Sequence, residues 1–131
     1  MNILIDTNIL LWVLFDDARL SKKQIAHIHN TDNAIIISGI SIFEISLKYS
    51  LNKIDLNGVK PDQIPGLLIN NGYEIEDYDY GLFSTFYKLP DNIHKDPFDR
   101  LLIWLAINKN YYLMSNDGKF KEYDKHGLKL I

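Results

Sequence analysis

Apolar positions along this chain fall in short runs that switch between the two-residue period of strands and the longer period of helices. Residues 2–5 make a brief apolar strand, and the Asp6-Thr7-Asn8 that follows is a natural helix start. The pattern then predicts helix over 9–15, a polar loop around Asp16 and Asp17, and a second helix beginning at Ser21, with Ile25 and Ile28 on one face. Residues 34–37 form a continuous apolar run of the kind buried in a parallel sheet. Helix is expected over 41–51, where Ile42, Ile45 and Tyr49 are spaced for one buried stripe. Pro61 and Pro65 bracket a further helix toward Leu68 and Ile69, residues 73–75 read as a third strand, and 80–87 as a helix ended by Leu89-Pro90. The clearest helix covers 97–108, where apolar side chains nearly surround the axis and predict burial. Strands over 111–115 and 128–131 complete the chain.

Strands alternating with helices at this spacing imply an α/β fold with a parallel sheet and helices on both faces. A length of 131 residues suits a single domain with one real core, spanning 1–131. With 47% apolar and 24% charged residues the balance is that of an ordinary soluble protein. The absence of cysteine excludes disulfides and thiolate zinc sites, and points to a reducing cytoplasm. The first apolar run is broken by Asp6-Thr7-Asn8 and lacks a basic leader, so no export signal is expected. No run is long enough to cross a bilayer, so no membrane partner is expected. A net charge of −3 argues against a surface coated in basic residues for nucleic acid. Converging acids offset by bound Mg²⁺ would give the same total, so net charge decides nothing.

The acids become informative once laid on this fold, because ligands of such sheets bind at the carboxyl ends of the strands. Asp6 ends the first strand, Glu44 falls in the first turn of the helix after the second, and Asp117 ends the 111–115 strand. Asp96 and Asp99 open a helix that runs antiparallel to the strands, so its start lies at the same edge. Each acid alone has a purely structural use. Asp6 can cap a helix, Ser41-Ile-Phe-Glu44 fits a capping box, and Glu44 can pair with Lys48. Asp96-Pro97 fits a cap followed by proline, Asp99 suits the helix dipole, and Asn116-Asp117-Gly118 is a turn. Four caps have no reason to choose one rim, however. Clustered carboxylates suit Mg²⁺ or Mn²⁺, hard ions that prefer oxygen and that promote phosphodiester cleavage.

Competing chemistries fail on residues. Gly39-Ile-Ser41-Ile-Phe43 lacks the second glycine of a nucleophile elbow, and no glycine pattern fits a phosphate loop or dinucleotide fold. His27 and His29 are two apart on a helix and point to different faces. His126 is expected at the surface near the last turn, and His94, closer to the acids, at a place where it could touch RNA.

Four segments in order, Ile5-Asp6-Thr7-Asn8-Ile9-Leu10, Ser41-Ile-Phe-Glu44, His94-Lys-Asp96-Pro-Phe-Asp99-Arg100-Leu-Leu-Ile and Ser115-Asn-Asp117, resemble the successive motifs of PIN domains, and more narrowly of the VapC toxins of prokaryotic toxin–antitoxin pairs. The resemblance spans essentially the whole chain. It implies a three-layer α/β/α sandwich with a mostly parallel sheet of about five strands. It also implies Mg²⁺- or Mn²⁺-dependent endoribonuclease activity, a homodimer, and inhibition by a cognate antitoxin. By position, Asp6, Glu44, Asp99 and Asp117 would be the catalytic, metal-holding quartet, with Asp96 an additional acid and Thr7, Asn8 and Ser115 supporting by hydrogen bonds. Ser115 stands where many relatives have threonine, and keeps the hydroxyl. Lys48, Lys95, Arg100 and Lys119, with Lys53 and Lys121, are candidates for contact with RNA. A haloacid-dehalogenase-like phosphatase would need a second acid where Asn8 stands. The non-enzymatic alternative, a PIN scaffold that binds RNA or a protein without cutting, predicts a broken quartet; here all four acids are present.

Overall fold

In the computed structural model, which describes residues 1–77, 79–90 and 94–131, the chain forms a three-layer α/β/α sandwich on a five-stranded sheet. The strands are β1 (Asn2–Ile5), β2 (Ala34–Ser38), β3 (Glu74–Glu76), β4 (Tyr112–Met114) and β5 (Lys129–Leu130). They are ordered β3-β2-β1-β4-β5, and every pairing is parallel. The helices are α1 (Thr7–Phe15), α2 (Lys22–His29), α3 (Gly39–Ser50), α4 (Ile64–Asn70), α5 (Tyr80–Thr85) and α6 (Pro97–Lys109).

The two-residue period divides the core. Leu4, Ile36 and Leu113 point to one side, where Leu102, Ile103, Leu105 and Ala106 of α6 cover them with Phe120 and Tyr123. Ile3, Ile5, Ile35, Ile37 and Met114 point to the other, against Ile9 and Leu10 of α1, Ile45 of α3, and Ile64 and Leu68 of α4. No helix among the described residues is long and apolar enough to cross a membrane.

Several local expectations shift. The third helix begins at Gly39, not near Ser41, because the Ser38 hydroxyl accepts the Ile40 N–H at 3.1 Å and takes the cap. Ser41 is therefore a buried residue of the first turn, Glu44 lies in the second turn, and the expected Ser41–Glu44 capping box does not form. Tyr49, expected in the buried stripe, is exposed; Ile40, Ser41, Glu44 and Ile45 are the buried residues of α3. The helix expected over 80–87 ends at Thr85 and tightens into a 3₁₀ turn over Phe86–Lys88. Residues 118–126, given no element from the sequence, wind as 3₁₀ turns that bury Phe120 and Tyr123. Ser21 caps α2 through a capping box with Gln24, as its position suggested.

This strand order creates one crevice. From β1 the chain builds outward through β2 to β3, then returns to the other side of β1 as β4. The reversal lies between the carboxyl ends of β1 and β4, where parallel sheets open toward ligands. The Asp6 N–H donates to the Met114 carbonyl at 3.1 Å and joins the two strand ends.

Candidate functional site

Asp6 stands at that reversal. Its carboxylate accepts the Ile9 N–H at 2.8 Å and caps α1, yet the residue is only 4% exposed. Burial raises its pKa, bonds from Ser115 and the Ile9 N–H pull the other way, and the charges of Glu44 and Asp117 raise it further. A cap alone needs no burial and no company of other acids.

Glu44 reaches the same place from α3 and is 3% exposed. Thr7 donates its hydroxyl to Glu44 Oε1 at 2.7 Å, with Ser41 Oγ at 3.0 Å, while Lys48 one turn on grips Oε2. Both carboxylate oxygens are thus fixed in orientation. Asp99, in the first turn of α6, has its pKa raised to about 7. Burial is the main cause and the charge of Asp96 the next; His94 opposes them, and Asp6 and Glu44 add to the rise. Asp117 follows β4 and accepts the Lys119 N–H at 2.9 Å and the Asp117 backbone N–H is itself bonded to Ser115 Oγ at 3.0 Å. Its burial would raise its pKa, but the bonds from Lys119 and His94 and their charges leave it lowered. The charges of Asp6, Glu44, Asp99 and Asp117, carried on four elements, thus act on one another, while among the described residues the ligand atoms within 4.8 Å of one another belong to His94, Asp99 and Asp117.

Asp96 is the cap of α6, its carboxylate 2.8 Å from the Phe98 nitrogen. Asp96→Ala should lower stability by about 1 kcal/mol, measured by thermal denaturation, whereas Asp96→Asn, which still caps, should lose far less. Thr7 and Ser115 touch Glu44 and Asp6, respectively, while Asn8 is exposed on the first turn of α1.

Among the cationic candidates, Lys95 and Lys119 are exposed, and Lys48 is engaged by Glu44. Arg100, expected to face RNA, is directed inward instead. Its guanidinium donates to the carbonyls of Leu89 at 3.2 Å and His94 at 3.5 Å and to the Tyr123 hydroxyl at 3.0 Å, and lies over the Phe86 ring. The planar fork of an arginine suits this several-fold clamp.

The residue whose importance the sequence understated is His94. It is 5% exposed, with Nε2 at 2.9 Å from Asp117 Oδ2 and 3.2 Å from Asp99 Oδ2. Its signal was present: it lies two residues before the α6 cap, so it shares the rim by the same topology. His126, expected at the surface, is half-buried, its ring 6.3 Å from that of Tyr123. Phe43, given no role in the sequence reading, is 56% exposed and lies 5.8 Å from the ring of Phe98, the two being next in sequence to Glu44 and Asp99.

Buried like charges, with oxygen donors held by neighbours, fit a divalent cation. Without one, Asp99 retains its proton up to about pH 7.

The sequence model of the PIN domain matches residues 3–126, and the chain belongs to that family. The fold is shared with VapBC2 of Rickettsia felis bound to a DNA fragment from its promoter, at TM-score 0.70 and 22% identity over 100% of this chain and 98% of that one. It is shared also with DNA-bound VapBC of Salmonella typhimurium, at TM-score 0.65 and 17% identity over 100% and 97% of the chains. VapBC-1 of nontypeable Haemophilus influenzae gives TM-score 0.65 and 13% identity over 100% and 97%. No curated protein matches the chain.

Proposed function

We propose that the chain is a metal-dependent endoribonuclease acting in the cytoplasm as the toxin of a toxin–antitoxin pair. The observation that carries this is that the charges of Asp6, Glu44, Asp99 and Asp117 act on one another near the sheet reversal, with two of these acids almost wholly buried. In this reading the four carboxylates hold Mg²⁺ or Mn²⁺. A bound ion of this kind lowers the pKa of an attacking water and neutralises charge on the phosphate. The protein supplies the rest. Thr7 and Lys48 hold Glu44, the Ser115 hydroxyl holds Asp6, and α1 and α6 present their N-terminal ends to the same anionic region.

Exposed Phe43 offers a face for stacking an unpaired base, and Lys95 and Lys119 offer charge for its phosphates, a combination suited to single-stranded or looped RNA. Exposed apolar side chains elsewhere, Leu47 and Leu51 around α3 and Tyr80 and Tyr87 around α5, support surfaces covered by protein partners. The antitoxin and a second copy of this chain are the partners proposed, in keeping with the VapBC complexes that share the fold.

The test is direct. Purified protein should cleave RNA with Mg²⁺ or Mn²⁺ and stop with EDTA. Expression in bacteria should arrest growth until the product of an adjacent gene is co-expressed. Metal-loaded protein that leaves RNA intact, together with full tolerance of its expression, would replace this reading with a binding scaffold.

A further inference from the structure

His94 is placed with unusual care for a loop residue. Arg100 holds its carbonyl, its ring packs on Phe120 at 5.1 Å between centroids, and 95% of its surface is withdrawn from solvent. Its Nε2 lies between two carboxylates. Its distances of 2.9 and 3.2 Å to Asp117 and Asp99 match the spacing of adjacent ligands around an octahedral ion, which is about 3 Å for bonds near 2.1 Å. One ligand atom each from His94, Asp99 and Asp117 lies within 4.8 Å of the other two. As a donor, Nε2–H bonds the Asp117 oxygen at 2.9 Å, with that of Asp99 at 3.2 Å. With the ring proton on Nδ1 instead, a lone pair points along the same axis into the same space.

We infer that His94 is a nitrogen ligand of the divalent ion, beside Asp99 and Asp117, and that it tilts this site toward Mn²⁺ over Mg²⁺. The inference rests on the metal site proposed above. Its selectivity follows from ligand type: Mg²⁺ favours all-oxygen surroundings, and an imidazole nitrogen favours first-row transition ions. The opposing role is a positioning residue that only bonds the two carboxylates. The variant His94→Gln distinguishes them, because an amide N–H can still reach the oxygens but supplies no imidazole nitrogen.

Pulsed electron paramagnetic resonance on the Mn²⁺-loaded protein should show imidazole ¹⁴N coupling that disappears in His94→Gln. Calorimetric titration should show Mn²⁺ affinity falling about tenfold or more in the variant, with Mg²⁺ affinity changed much less. His94→Ala also removes the Phe120 contact, so His94→Gln carries the test if the alanine variant fails to fold. A Mn²⁺ site without nitrogen coupling, or with coupling that survives in His94→Gln, overturns the ligand role and leaves the carboxylate site standing. No Mn²⁺ binding at all overturns both.

Discussion

Asp99→Asn should all but abolish RNA cleavage and still give a metal-free protein at least as stable as the parent at pH 8. The two effects have one cause. Asp99 is half-buried among acids, and its pKa rises to about 7, from burial first and then from the charge of Asp96. An unfolded aspartate titrates near 4, so the folded state binds the proton more tightly than the unfolded state. The contribution to stability is then neutral below about pH 4, becomes unfavourable as pH rises from 4 to 7, and is fully unfavourable above 7. Asparagine has no such charge to bury. Its amide cannot replace an anionic oxygen on a cation, and a loss of about a thousandfold in rate, roughly 4 kcal/mol of barrier, is expected. Asp96→Ala should show the opposite pairing, a lower melting temperature with much of the activity retained. Cleavage rates and melting curves for both variants decide the matter. Should Asp99→Asn cleave like the parent, the carboxylate mechanism fails.

Mn²⁺ should raise the melting temperature of the parent, and by more at pH 8 than at pH 6. A ligand that binds only the folded state at about a hundred times its Kd contributes roughly 2.7 kcal/mol. For a chain of this size that is on the order of 10 °C. The pH dependence follows from competition. Below about pH 7 the ion must displace the proton of Asp99 and part of the binding free energy is lost, whereas above it the carboxylate is already ionised. Asp6, whose pKa burial also raises, adds to the same trend. Asp6→Asn and Asp99→Asn should each shrink the shift. A melting temperature indifferent to millimolar Mn²⁺ at pH 8 would count against a metal site.

The strands and most of the helix caps were legible in the chain because they depend on neighbours in sequence. Asn2–Ile5 reads as a strand from its apolar run, and Asp96-Pro97 as a helix start from a side chain and a ring that act within one turn. From these, together with the parallel order implied by strand–helix alternation, the common rim of Asp6, Glu44, Asp99 and Asp117 follows without coordinates. The start of α3 was not legible, because Ser38 and Ser41 can each act as a cap. Ser38 takes the cap, and the Ser41 hydroxyl instead accepts from Thr7, a contact 34 residues away in sequence.

The sequence by itself therefore determined the strands, most of the helices, the layered architecture and the edge toward which the acids lie. All of these rest on short-range sterics, hydrophobic period and chain topology. Only the tertiary structure decided which groups touch there. It turned Arg100 inward to hold the carbonyls of Leu89 and His94, and set His94 between Asp99 and Asp117. It also withdrew Asp6 and Glu44 from water. Those outcomes depend on where α6, the Phe120 turn and the ends of β1 and β4 meet. Desolvation and charge repulsion act through space, so no window of sequence contains them.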